Sequence, residues 1–429
     1  MPADVALHGR ATREQPPIHR VILAASVGNA LEWFDFLIYG YFAVTISKVF
    51  FPTGNETVSL LVTLGTFGLA YLVRPLGAIV LGAYADRAGR KAALMMSILL
   101  MMIGTTVMAL IPSYEAIGVA APIIVMLARL LQGFSVGGEF GSSTAFLVEH
   151  SEKRKGFMAS WQWASQGVTA LVASSFGVAL STMLAPDQLL SWGWRIPFFF
   201  GLLIGPVGFY IRSHMAETPE FVAAEPSQTP LRSLLAEHPG AVLIAIGASI
   251  ISNSSNYLIL YIPTYAVSQL HLPQSTGYIA TLVGAVILGS VALVAGHWSD
   301  KIGRTRIMLA MTVLFFLTSY PIFAAMVAWP SLATAILAAG WLSLVKAGYS
   351  GVLPSLLSEL FPVEARAIGM SFGYSVSVTI FGGFAPFIAT WLIAQTGDKL
   401  SPSYYLMATA LLSMVAIAAA ARRLPPRAA

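Results

Sequence analysis

The sequence predicts an all-α polytopic membrane protein, with twelve transmembrane helices arranged as two six-helix halves. Three observations carry that prediction. Of the 429 residues, 57% are hydrophobic and only 10% are charged, against about 25% charged in a soluble domain, and the mean hydropathy is +0.76. Apolar runs long enough to cross a ~30 Å hydrocarbon core, about 20 residues each, recur twelve times. The segment GAIVLGAYADRAGR at 77–90 returns as GSVALVAGHWSDKIGR at 289–304, aligning Asp86 with Asp300 about half the chain apart. A duplicated six-span unit leaves this kind of trace.

In chain order the apolar runs cover residues 21–46, 60–83, 92–111, 117–147, 157–184 and 194–211, then 241–270, 277–298, 307–327, 332–360, 368–395 and 404–420. Residues 1–20 are polar, contain Pro16 and Pro17 and lack an apolar h-region. They read as a tail and not a cleaved signal, so the first span directs insertion. The halves occupy 21–211 and 241–421, and the linker between them, 212–240, is rich in Pro, Glu and Ser, as a tether is. Residues 422–429 form a second tail.

Basic residues fall in alternate connections: Arg10, Arg13 and Arg20; Arg87, Arg90 and Lys91; Lys153, Arg154 and Lys155; Arg212 and Arg232; Lys301, Arg304 and Arg306; Arg366; and Arg422, Arg423 and Arg427. With twelve spans every cluster lies on one side. The positive-inside rule then places both termini of this multi-pass protein in the cytoplasm. A net charge of +5 would also fit an anionic partner, but charge confined to short connections serves topology, so a bilayer and not nucleic acid is expected around this chain. The absence of cysteine excludes disulfides and Cys-ligated metals. No nucleophile–base spacing, His-rich metal pattern or phosphate loop stands out. Neither a cofactor nor an enzymatic activity is expected.

Charges inside apolar runs locate function. Asn29, Glu32 and Asp35 recur every three residues and share one helix face. A charge at bilayer depth costs roughly 2.5 kcal/mol or more, so two carboxylates on one stripe need water, a cation or a proton. Arg129 in the fourth run is the natural cation for them. A carboxylate beside a guanidinium keeps its charge, and one drawn away from it in a drier setting takes up a proton. Asp35, the deeper of the two carboxylates, is favoured as the proton carrier. A fixed structural pair with Arg129 is the competing reading. Glu139 shares the fourth run with Gly133, Gly137, Gly138 and Gly141, glycines spaced for close helix packing, and is either a second proton site or a partner of Arg129.

Lys346 lies near the centre of the tenth run, where a lone ammonium requires an anion. With Arg129 it presents two positive groups from opposite halves, which suits a molecule with at least two carboxylates. A salt bridge to Glu32, Asp35 or Glu139 is the alternative. Asn253, Asn256 and Tyr257 in the seventh run, Gln162 and Gln166 in the fifth, Tyr349 in the tenth and Asn29 in the first supply uncharged partners for substrate oxygens.

The segment Gly82 to Lys91, its second copy, and Arg129 to Gly133 resemble the major facilitator superfamily. More narrowly, GNALEWFDF (28–36), RPLG (74–77), QGFS (132–135), GWRIPF (193–198) and ETPEF (217–221) resemble its metabolite:proton symporter family. SWQWASQ (160–166) and TGDKLSP (396–402) point within that family to the citrate and tricarballylate branch. The osmolyte-transporting branch resembles this chain too, but usually continues into a long coiled coil. The resemblance implies a cavity lined by the first, fourth, seventh and tenth spans. It also implies a cytoplasmic gate made of Asp86, Arg87 and Arg90 with Asp300, Lys301 and Arg304, in which each aspartate caps a helix of the opposite half.

The expected function is a proton-coupled symporter, working as a monomer, that imports a small organic anion with protons by alternating access. The anion is a di- or tricarboxylate such as citrate. Symport of a zwitterionic osmolyte such as proline or betaine, and proton-driven efflux by antiport, are the alternatives.

Overall fold

The computed structural model describes residues 29–30, 33–88, 90–137, 139–149, 154–213 and 230–424. Among these residues the secondary structure is helical. Eight helices are long and apolar enough to cross a membrane: Glu56–Leu81, Lys155–Met183, Pro239–Ser268, Gln274–Ile302, Arg304–Ala328, Leu332–Leu360, Ala365–Thr396 and Ser401–Arg423. Three shorter apolar helices, Met95–Leu110, Ala120–Ser135 and Gly193–Val207, together with the helical stretch through 33–50, complete the twelve spans. They are numbered here in chain order.

Local chemistry sets the ends. The Asn55 side chain accepts from the backbone N–H of Thr57 and Val58 and opens the second span. Ser331 and Thr334 cap one another reciprocally at the tenth. Gly303, at φ +101°, turns the chain between the eighth and ninth spans, a conformation that a side chain would resist.

Burial sorts the spans into inner and outer ones. Within their most apolar windows, 72% of the seventh span and 78% of the tenth are buried, against 28% of the ninth and 33% of the twelfth. Residues 33–43 of the first span are buried without exception. Polar residues of the first, seventh and tenth spans therefore face protein, while the ninth and twelfth turn apolar faces to lipid.

Several runs that read as continuous are broken. The second span splits into Glu56–Leu72 and Arg74–Ala88, because Pro75 lacks an N–H and crowds the preceding turn. The Tyr71 carbonyl, which a residue other than proline at 75 would bond, accepts instead from Thr379 Oγ1 of the eleventh span at 2.8 Å. The fourth run divides into Ala120–Ser135 and Glu139–Glu149 at its glycines, and the tenth pauses at Gly351 between Leu332–Ser350 and Leu353–Leu360. In the eleventh, residues Val378–Gly383 are π-helical.

Glycines decide which spans touch. A side chain at Gly77, Gly133 or Gly137 would strike backbone of the facing span, so the second and fourth spans pack main chain to main chain. Between the halves, Gly156 and Gly167 of the fifth span meet Gly296 and Gly289 of the eighth. The halves also meet at both ends. At the end bearing the basic clusters, Phe140 stacks on Tyr374 with ring centres 3.8 Å apart, and the Gly141 N–H donates to Ser371 Oγ at 3.1 Å. At the far end, Tyr278 OH donates to the Tyr41 carbonyl at 3.0 Å, and Phe384 lies against Gly68.

Candidate substrate and proton site

The first span aims its polar residues in two directions. Asn29 Nδ2 donates to the Gln162 carbonyl (2.9 Å) and to Ser165 Oγ (2.8 Å), and Gln162 Nε2 returns a bond to Asn29 Oδ1 at 3.0 Å. Ser143 Oγ donates to Gln162 Oε1 at 3.2 Å. Asn29 and Gln162, both expected to bind substrate, thus satisfy one another and pin the first span to the fifth.

Asp35 turns the other way. One oxygen accepts from the Thr105 hydroxyl of the third span, while Oδ1 has no hydrogen-bond partner and lies close to Gly201 of the sixth. Thr105 Oγ1 in turn accepts from Gln132 Nε2 at 3.1 Å, and Gln132 Oε1 accepts from Arg129 Nη1 at 2.8 Å. Asp35 and Arg129 therefore form no direct ion pair. They are joined through two neutral side chains that separate the charges but keep them in electrostatic reach.

Arg129 is fully buried and walled by aromatic rings, its guanidinium carbon 4.6 Å from the centre of Phe36, 4.5 Å from Tyr39 and 5.5 Å from Phe67. Ring faces favour a cation there, but Nε and Nη2 make no hydrogen bond. The side chains of Glu32 and Glu139, and those of Asp86, Arg87 and Arg90, lie outside the described residues.

Lys346 is 2% exposed. Nζ donates to Asn256 Oδ1 at 2.5 Å and lies 4.7 Å from the Trp163 ring centre. Among the described residues no carboxylate pairs with it, so the salt bridge to Asp35 does not exist in this arrangement. Trp163 Nε1 beside it is buried and unpartnered, as are Gln166 Nε2 and Asn253 Oδ1 elsewhere in the inner spans. Asn253 Nδ2 donates to Ser377 Oγ of the eleventh span at 3.2 Å. Tyr349, by contrast, donates its hydroxyl to the Ala248 carbonyl at 2.6 Å, which occupies it in holding the tenth span to the seventh. Lys346, Asn256 and Trp163 thus come together, and Tyr349 and Asn29 point elsewhere.

At the basic end, Asp300 accepts from the backbone N–H of Gly156 (2.8 Å) and Phe157 (3.1 Å) at the start of the fifth span. A carboxylate across a helix N-terminus meets both free donors and the positive end of the dipole. Arg304 contacts Asp300 at 3.5 Å and pairs with Glu359 of the tenth span, while Lys301 is exposed. Asp300→Ala removes a helix cap that joins the halves. At about 1.4 kcal/mol for a cap, it is expected to shift this end about tenfold toward open. Spin labels at Lys155→Cys and Ile302→Cys, on a chain without native cysteine, measure the widening, and an unchanged distance distribution counts against a gate here.

Sequence reasoning passed over Arg74. It is 3% exposed, with its guanidinium carbon 5.9 Å from the Trp33 ring centre and 5.4 Å from that of Tyr71. The signal was present, as an arginine inside an apolar run, but it was absorbed into a family motif.

Comparison with known proteins agrees with this architecture. A family model described as "Sugar (and other) transporter" matches residues 21–237, and one described as "Major Facilitator Superfamily" matches 274–429. A citrate-proton symporter of Klebsiella pneumoniae is 40% identical over 400 residues, spanning 92% of this chain and 90% of that protein. A proline/betaine transporter of Escherichia coli (strain K12) is 33% identical over 417 residues, spanning 93% and 82%. The solved structure of the proton:xylose symporter XylE bound to 6-bromo-6-deoxy-D-glucose superposes with a TM-score of 0.79 at 16% identity, covering 95% of this chain and 96% of that one. The repeat, the buried charges of the inner spans and these matches converge: the chain belongs to the major facilitator superfamily and, within it, to the metabolite:proton symporters.

Proposed function

We propose that this protein is a proton-coupled symporter that carries an organic acid, a di- or tricarboxylate such as citrate, by alternating access across a bacterial inner membrane. Both termini lie in the cytoplasm in this reading, and the chain functions as a monomer. The observation that carries it is Lys346: a buried ammonium at mid-membrane whose hydrogen-bond partner is a neutral amide. A buried charge met by so little is costly, and a cargo carboxylate supplies what is missing. The citrate-proton symporters among its relatives support the same class. A zwitterionic osmolyte fits less well, because a fixed ammonium beside Trp163 repels the cationic end of such a molecule.

Asp35 is the proposed proton carrier. With a proton on Asp35, the charge that Arg129 meets through Gln132 and Thr105 is removed. The inner spans are then more positive as a whole toward an anion, so cargo and proton favour each other. Residues 21–211 and 241–421 form the two rocking halves, joined by 212–240. Asp300, Lys301 and Arg304 form the described part of the inner gate, and Asp86, Arg87 and Arg90 its remainder. In proteoliposomes without an imposed gradient, adding citrate outside is expected to alkalinise the external medium as protons enter with it. Citrate entry without alkalinisation, or acidification outside, would replace symport by uniport or antiport.

A further inference from the structure

The second cation of the site need not be Arg129. Its guanidinium is enclosed by Phe36, Tyr39 and Phe67 and bonded into the chain that ends on Asp35, a setting for reading protonation. Arg74 is placed differently. The break that Pro75 makes in the second span sets it at the seam between the halves, against Trp33 and Tyr71. Tyr71 meets Tyr257 of the seventh span with ring centres 5.3 Å apart. The Tyr257 and Tyr374 hydroxyls are within electrostatic reach of the Arg74 guanidinium.

Arg74 Nε and the Tyr374 hydroxyl are buried without a hydrogen-bond partner, and the buried hydroxyls of Tyr71 and Tyr257 have none beyond each other. Buried polar groups are ordinarily satisfied, and three phenolic hydroxyls around one guanidinium form a set that matches an anionic oxygen pair. Arg presents a planar fork suited to a carboxylate, and phenolic O–H groups complete the remaining lone pairs. Tyr257 is adjacent in sequence to Asn256, the partner of Lys346. This seat and the lysine therefore flank one turn of the seventh span from two sides.

We infer that Arg74, with Tyr71, Tyr257 and Tyr374, seats a carboxylate of the transported acid, so that Arg74 and Lys346 bind cargo while Arg129 serves proton coupling. The inference rests on the organic-acid reading above. Because three of the four groups belong to the second and seventh spans and the fourth to the eleventh, a carboxylate held here bridges the halves.

The test is citrate binding by calorimetry on the purified full-length protein, with the unfolding temperature of each citrate-free variant as the folding control. Arg74→Gln is expected to raise the Kd at least about tenfold, the scale of a lost charge-assisted pair, while retaining the wild-type pH dependence of whatever uptake remains. Tyr374→Phe removes one oxygen and leaves the charge. It is expected to raise the Kd about threefold or more in a protein that unfolds cooperatively, which keeps the test open should Arg74→Gln not fold. An unchanged Kd in Tyr374→Phe, or in a folded Arg74→Gln, overturns the carboxylate seat. A changed pH profile in Arg74→Gln overturns the division of labour with Arg129. If the wild-type protein binds neither citrate nor tricarballylate, the organic-acid reading itself falls, an outcome distinct from the others.

Discussion

Asp35→Asn is expected to abolish accumulation against a gradient while leaving exchange of solute down its gradient in place. The substitution is nearly isosteric, and an amide oxygen still accepts from Thr105, so the third span keeps its bond to the first. What disappears is the ability to alternate between charged and neutral forms beside Gly201, where one carboxylate oxygen has no partner. With the membrane potential clamped, one proton moving per cargo down a gradient of about 2 pH units supports an accumulation ratio of about 100, since each factor of ten corresponds to about 1.4 kcal/mol. The variant should level off at a ratio of about one. Proteoliposomes loaded at high internal pH give the ratio, and counterflow of labelled citrate shows whether the carrier still turns over. Accumulation by the variant at the wild-type ratio would remove Asp35 from the coupling.

Lys346→Gln is expected to have two effects of opposite sign. Glutamine can still donate to Asn256 and fill space against Trp163, but it carries no charge. Removing an ammonium that is 2% exposed takes away a desolvation cost of several kcal/mol, so the citrate-free protein should unfold at a higher temperature than wild type. The rise in unfolding temperature caused by citrate should shrink or vanish, because a lost ionic hydrogen bond of about 1.5–3 kcal/mol corresponds to a Kd raised about tenfold to a hundredfold. A lysine with a purely structural role would give the reverse pattern, with lower intrinsic stability and citrate stabilisation intact. One thermal-shift series over a range of citrate concentrations separates the two.

Most of the architecture could be read before the structure. The composition, the run lengths and the repeat of Asp86 at Asp300 lead to twelve spans in two halves, because hydrocarbon imposes length and apolarity on every crossing element. The breaks within the second, fourth and tenth spans followed from Pro75, Gly137 and Gly351, but each was hidden inside an unbroken apolar run. The site was legible in its charges and less so in its neutral groups. Lys346, Asp35 and Arg129 announce themselves because charge in an apolar run is costly wherever it points. An amide or hydroxyl costs little if a partner happens to face it, and that depends on contacts between residues far apart in the chain. Asn29 and Gln162 found each other across 133 positions, and Tyr349 found the Ala248 carbonyl; no local pattern distinguishes these from Asn256. Arg74 shows the converse error, since the rule applied to Arg129 applied to it equally.

The π-helical stretch Val378–Gly383 has its own mechanical meaning. An α-helix advances about 100° per residue, and a segment of wider i→i+5 turns holds its surplus residue as wound-in slack. Passing that slack along the eleventh helix swivels everything beyond it by about that angle without breaking the rod in two. Gly382 and Gly383 rest on the rings of Tyr257 and Tyr71, while Tyr374 lies one to two turns earlier, on the other side of the slack. A rotation taken up there would leave the upper part of the eleventh helix seated on that aromatic bearing and carry Tyr374 off the Phe140 ring on which it now stacks.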